Sequence, residues 1–278
     1  MSDVRPKARR ITCVLAALAL WPAAERSAAH AQAEVDLQLV LAVDASGSID
    51  AHEFALQMDG IAAAFRDQAV VTAIESGPIG RIAVTVALWA EPGGPKDALP
   101  WSLIHDAASA AAFADVVERA PRSIPGGGTG IGEGVLYAIR LLEGSGLVST
   151  RRVIDLSGDG RETTFRDFNF PAGLARFAAT ARGIVINGLA ILADEPDLDA
   201  YYRRTVVAGP GAFVMTARSF DDFADAMRRK LIKEIEYRPE VSEARPRRAT
   251  PARVLPSRDR ATVGAPPHGE ARRTAHLR

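Results

Sequence analysis

Val40-Leu41-Ala42-Val43-Asp44-Ala45-Ser46-Gly47-Ser48 decides the fold of this chain. An apolar run ends abruptly in an acid, and two hydroxyls follow at alternate positions around a glycine that permits a tight turn. Ile49-Asp50-Ala51-His52-Glu53 comes next, where Asp50 can cap a helix and Glu53 can close the capping box. The stretch predicts a buried strand, an oxygen-rich loop and a helix start. One carboxylate and two hydroxyls on so short a loop can converge above the strand's carboxyl end, and hard divalent cations take such oxygen ligands.

Outward from that stretch the pattern alternates strand and helix. Strands are predicted over 37–43, 81–90, 98–104, 152–156, 184–192 and 212–216. Helices are predicted over 50–68, 106–120, 131–142, 171–181, 197–206 and 219–235. The turn Glu91-Pro92-Gly93-Gly94-Pro95 makes 98–104 the hairpin partner of the strand before it, and so antiparallel to it. The expected architecture is a doubly wound α/β fold, with a mostly parallel sheet covered by helices on both faces and one antiparallel edge strand. Ligands of such sheets sit beyond the carboxyl ends of the strands. Following chain direction element by element brings three segments to that edge: the Asp44 loop, the Gly126-Gly127-Gly128-Thr129-Gly130 loop, and Ser157-Gly158-Asp159-Gly160.

Composition bounds the rest. The chain has 278 residues, 47% of them hydrophobic, and a formal net charge of zero. That zero conceals segregation: residues 1–33 carry +3, residues 34–236 carry −9 and residues 237–278 carry +6. Arg5, Lys7, Arg9 and Arg10 precede an apolar stretch from Ile11 to Ala24, followed by small-x-small cleavage sites near Ala31 and Ala33. Residues 1–33 therefore read as a secretory signal peptide, and the protein as exported to the periplasm or secreted. The single cysteine, Cys13, lies inside that signal, so the mature body holds no disulfide and no cysteine metal site. From residue 238 onward Pro, Arg, Ala and Thr dominate without periodicity, which reads as a disordered basic tail. The expected organisation is signal peptide 1–33, globular domain 34–237 and tail 238–278. No nucleic-acid partner is expected for an exported chain, and the tail's charge fits weak contact with an anionic envelope surface.

Asp44-x-Ser46-x-Ser48, Thr129 after a glycine run, and Asp159-Gly160 after an apolar strand resemble the von Willebrand factor type A (VWA) domain and its metal-ion-dependent adhesion site. The resemblance covers about residues 36–236 and narrows to bacterial exported VWA-like proteins. It implies that Ser46 and Ser48 ligate the metal directly, and that Thr129 does so directly or through water. It implies that Asp44 and Asp159 act directly or through bridging waters. The implied ion is Mg²⁺, or Mn²⁺ or Ca²⁺ in its place, and the implied partner is a protein presenting an Asp or Glu. Two carboxylates and three neutral hydroxyls suit this physically, because Mg²⁺ keeps several waters and retains an open position.

Other chemistries fit less well. The glycine run lacks Gly-x-Gly-x-x-Gly in register and the lysine of a phosphate-binding loop. No Gly-x-Ser-x-Gly elbow is present. No histidine is placed as a base beside the proposed metal: His52 and His105 sit at helix starts, His268 and His276 in the tail. An enzyme is not expected; the alternatives are a metal-dependent envelope hydrolase and a structural domain with a vacant site. Asp155, in an otherwise apolar strand, either supports the metal loops or accepts bonds from a helix end or an arginine. Phe165 and Phe168, with Arg161 and Arg166, form either a recognition rim or core; Phe170, before Pro171, reads as core. Trp89 and Trp101 read as sheet-packing residues.

Overall fold

A computed structural model describes residues 33–163 and 170–237. Residues 1–32 of the proposed signal peptide, Phe165, Arg166, Phe168 and the basic tail lie outside the described residues. In chain order the elements are β1 Glu34–Val35, β2 Leu37–Asp44, α1 Ala51–Arg66, α2 Gln68–Glu75, β3 Ile82–Trp89, β4 Asp97–Ala98, β5 Ser102–Ile104 and α3 Ala107–Glu118. There follow α4 Ile131–Gly144, β6 Val148–Ser149, β7 Arg152–Gly158, α5 Ala172–Thr180, β8 Ile184–Ile191, α6 Leu198–Thr205, β9 Val214–Ala217 and α7 Phe223–Glu236.

The main sheet runs β4-β3-β2-β7-β8-β9, and β5 also pairs with β3. Strands β3, β2, β7, β8 and β9 are parallel; β4 and β5 are antiparallel to β3. Every residue of β2 is buried, as a central strand covered on both faces requires. Side chains alternate along it. Leu37, Leu39, Leu41 and Val43 share a core with Phe54, Met58, Ile61 and Phe65 of α1, Phe113 of α3, and Phe223, Met227 and Leu231 of α7. Val40 and Ala42 face the other way, onto Val135 and Ile139 of α4, Ala175 of α5 and Tyr202 of α6. Trp89 is fully buried in this second layer, and Trp101 and Phe170 pack against it. The register sets Asp44 beside Trp89 and Val43 beside Ser157, so β2, β3 and β7 end level with one another.

Helix α1 starts as expected, with both halves of the capping box formed by Asp50 and Glu53. Three details differ from the sequence reading. Asp67 ends α1 and its carboxylate accepts from Ala69 N–H, so a separate helix α2 begins where one helix was expected to continue to Gln68. The predicted strand 98–104 is split into β4 and β5 around Pro100, which has no N–H to offer a ladder. β1 and β6 pair in a separate two-stranded sheet, each too short to show a period. Among the described residues no helix is long and apolar enough to cross a membrane.

Candidate metal site

Three loops meet above the carboxyl ends of β2 and β7. Asp44 ends β2, and its Oδ1 accepts from the Ser46 backbone N–H at 2.7 Å. Gln57 of α1 donates to the Asp44 carbonyl and fixes the strand end from below. The hydroxyls of Ser46 and Ser48 lie 3.2 Å apart. Ser48 Oγ donates to Asp159 Oδ1 at 2.9 Å, across 111 residues of chain. The Thr129 hydroxyl is 3.7 Å from the point a Cβ on Gly160 would occupy, which puts it against the Asp159-Gly160 turn. The structure therefore brings Asp44, Ser46, Ser48, Thr129 and Asp159 to one rim. Asp44, Ser46, Thr129 and Asp159 are buried and Ser48 is exposed, so the rim opens to solvent on the serine side.

Main-chain bonds hold the three loops together. Gly47 N–H donates to the Gly127 carbonyl at 2.7 Å, joining the first loop to the second. Gly127 has φ +149°, and a Cβ there would strike the Glu91 side chain at 2.7 Å, so only glycine suits the position. Arg122 adds a clamp: its guanidinium donates to the carbonyls of Ala45, Ser46 and Ile49 at 2.7–2.8 Å and lies over the Phe54 ring. On the other side, Thr163 Oγ1 accepts from Thr129 N–H and Thr163 N–H donates to the Thr129 carbonyl. Glu162 accepts from Gly132 N–H and from Ala172 N–H, so one carboxylate serves the amino ends of both α4 and α5. Neither helix has a side-chain cap of its own.

The electrostatics are those of carboxylates short of positive charge. Burial raises the Asp44 carboxyl to about 8 and Asp159 adds to the rise; Ser46 and Arg122 pull the other way. Burial raises Asp159 as well; Ser48 opposes the shift, and Glu53 and Asp194 reinforce it. Asp44 Oδ2 is buried and accepts no hydrogen bond from the protein. A buried carboxylate oxygen without a donor is costly unless a cation or a donor meets it. The donor set is two carboxylates and three hydroxyls; among the described residues no group of three or more His, Cys, Asp or Glu side chains gathers as metal ligands. All-oxygen donors of low charge suit a hard cation that keeps water.

Asp155 stands apart from this rim. It is fully buried beneath α7, with Oδ1 2.6 Å from Lys230 Nζ, and Lys230 also donates to Glu234 at 2.6 Å. The Asp155 contact is close but off the line of a hydrogen bond, so it counts as an ion pair. Asn187 donates to Glu234 and accepts from Phe213 N–H. The partner is thus a lysine of the last helix, neither the metal loops nor an arginine. Helical spacing did hold a signal: Lys230 and Glu234 fall on the stripe of Phe223, Met227 and Leu231. Arg122 carried no sequence signal, because its partners are backbone carbonyls. A cavity of about 200 Å³, lined by Val153, Val185, Phe213, Glu234 and Tyr237 among others, opens at the amino ends of β7 and β8, at the far end of the sheet from the rim.

This is a doubly wound α/β domain with a mostly parallel sheet, and the oxygen-rich rim lies at the carboxyl edge of that sheet. The chain belongs to the family described as "Protein of unknown function (DUF1194)", whose model matches residues 34–239. No curated protein matches the sequence. Among solved structures, the pilus adhesin SpaC from Lactobacillus rhamnosus GG superposes with a TM-score of 0.52 at 16% identity, over 72% of this chain and 31% of that one. The chain thus spans under a third of the adhesin, and the likeness is one of fold. The vWF domain of the type V pili tip protein Mfa5 from Porphyromonas gingivalis gives 0.49 at 12% identity, over 75% of this chain and 98% of that one. Proximal thread matrix protein 1 from the mussel byssus, with a zinc-occupied MIDAS motif, gives 0.48 at 14% identity, over 74% and 48%.

Proposed function

We propose that Asp44, Ser46, Ser48, Thr129 and Asp159 hold a divalent cation, Mg²⁺ or in its place Mn²⁺ or Ca²⁺, and that the chain uses it to grip an Asp or Glu on a partner protein. The observation that carries this reading is the meeting of three hydroxyls with two buried carboxylates, one of which, Asp44, keeps an oxygen without a donor. Such a set leaves a bound ion under-neutralised and partly hydrated, and the ion then supplies an open position that favours an incoming carboxylate. Ser46 and Ser48 offer their oxygens from a loop that Arg122 and Gly127 hold in place, so little ordering is needed when the ion arrives. We place this activity outside the cytoplasm, after loss of residues 1–33. The charge of the basic tail from 238 on suits weak contact with an anionic envelope surface.

Calorimetric titration of the full chain with Mg²⁺ and with Mn²⁺, alongside Asp44→Ala, tests the site. Saturable uptake by the unmutated chain and none by the variant is the expected result; no uptake by the unmutated chain ends the reading. Capture of partners from an envelope extract in Mg²⁺, reversed by chelator, extends the test to adhesion.

A further inference from the structure

Tyr202 of α6 is fully buried, and its hydroxyl finds no hydrogen-bond partner within the protein. Its ring belongs to the second core layer, but ring packing needs no hydroxyl; a phenylalanine would fill the same space without an unpaired polar atom. The place where this hydroxyl sits gives it a task. A Cβ built on Gly158 would lie 2.8 Å from Tyr202 Oη and 2.7 Å from Asp44 Oδ2. Two buried oxygens, both without partners, thus flank the same backbone position on β7, one residue before Asp159. A phenol keeps its proton at neutral pH, so Tyr202 brings an O–H donor to the same backbone position as a carboxyl oxygen that has none.

Resting on the metal reading above, we propose that Tyr202 is a positioning residue for the cation: its hydroxyl, beside Asp44 Oδ2 and not bonded to it in the metal-free chain, takes that oxygen as its acceptor when the cation holds Asp44 ionised, and so fixes its orientation. Groups that orient a ligand from behind act in this way and commonly contribute 10- to 100-fold to metal affinity. The lack of a side chain at 158 is part of the same device, since any Cβ there would lie within 3 Å of both oxygens. Helix α6 thereby joins the site although it offers no ligand. No spacing in the sequence marks Tyr202, because Asp44 and Gly158 lie on other elements far along the chain.

The test uses the full chain and Tyr202→Phe, titrated with Mn²⁺ and with Mg²⁺ and melted without metal. The expected result is a 10- to 100-fold loss of affinity in the variant, with a metal-free melting temperature equal to or above that of the unmutated chain. A merely structural tyrosine predicts otherwise. Equal affinity in the two proteins overturns the inference, as does a lowered metal-free melting temperature accompanying the loss, which would assign it to packing. If the unmutated chain takes up neither ion, the metal reading itself fails and the positioning role falls with it; that outcome is distinct from equal affinity in two chains that both bind.

Discussion

Two clusters of buried acid occupy this sheet, one at the rim and one under the last helix, and they solve the same electrostatic problem differently. Beneath α7, Asp155 and Glu234 share Lys230, all three fully or almost fully buried. At the rim, Asp44 and Asp159 share no ammonium among the described residues, and Arg122, the guanidinium that acts on Asp44, spends its donors on loop carbonyls. Both acids nearest the core, Asp44 and Asp155, are pushed up to about 8, in each case chiefly by burial and then by a neighbouring carboxylate. The lower cluster carries its own cation. The upper one has oxygens to receive one, and it opens to solvent where the lower does not. The difference teaches that buried acid alone does not mark a candidate site; what sets the rim apart is acid left without a built-in counterion and reachable from water.

The largest expected effect breaks the lower cluster. Lys230→Met leaves two buried carboxyls without a cation, and about 3–5 kcal/mol of stability should be lost, read by chemical denaturation. Asp44→Asn, its counterpart at the rim, should leave the metal-free chain unchanged or steadier while abolishing cation uptake. If both variants destabilise equally, the two clusters are alike and the contrast fails.

Removing the clamp comes next. Arg122→Ala deletes charge-assisted bonds to three carbonyls from a half-buried position, at a cost of about 2 kcal/mol. Cation affinity should fall with it, since the serine loop is no longer held. A variant with intact affinity would show that the loop needs no clamp.

The smallest effect is a slope. Asp155 has a folded-state value near 8 against an ordinary 3.8, so the folded protein holds a proton that the unfolded chain gives up. Stability from that proton is complete below about pH 4 and is lost as pH rises through about 8. Lys230, Glu234 and Asn187 face it and set the balance. Asp155→Asn, which cannot lose the proton, should flatten the decline in melting temperature between pH 6 and 9. An unaltered slope would place the proton elsewhere.

How much of this was legible beforehand follows from how far each interaction reaches along the chain. The capping box of Asp50 and Glu53 spans three residues and reads directly. The order of strands and helices followed from apolar period, and connectivity alone sent Asp44, Thr129 and Asp159 to one edge. Hydrogen bonds that cross the sheet did not read. Ser48 to Asp159 was foreseen only as proximity. Lys230 to Asp155 joins elements 75 residues apart, and nothing local in either names the other. Asp67 was readable in principle: an N-cap residue inside a helical period is a reason to break the helix, and the structure breaks it there. Glu162, placed between two helix starts, depends on α4 and α5 lying side by side, which no spacing reveals.

The way Thr129 is fastened has a consequence for how this rim can change. Its amide and carbonyl are both bonded to Thr163, and the neighbouring loop is joined through Gly47 and Gly127, so the scaffold grips the backbone and, among the described residues, leaves the hydroxyl uninvolved. Side chains at such a position can be exchanged without redrawing the loop. If the rim takes the cation proposed above, ion preference would be separable from folding here, and a single acid introduced at residue 129 would shift the rim toward ions that demand more charge.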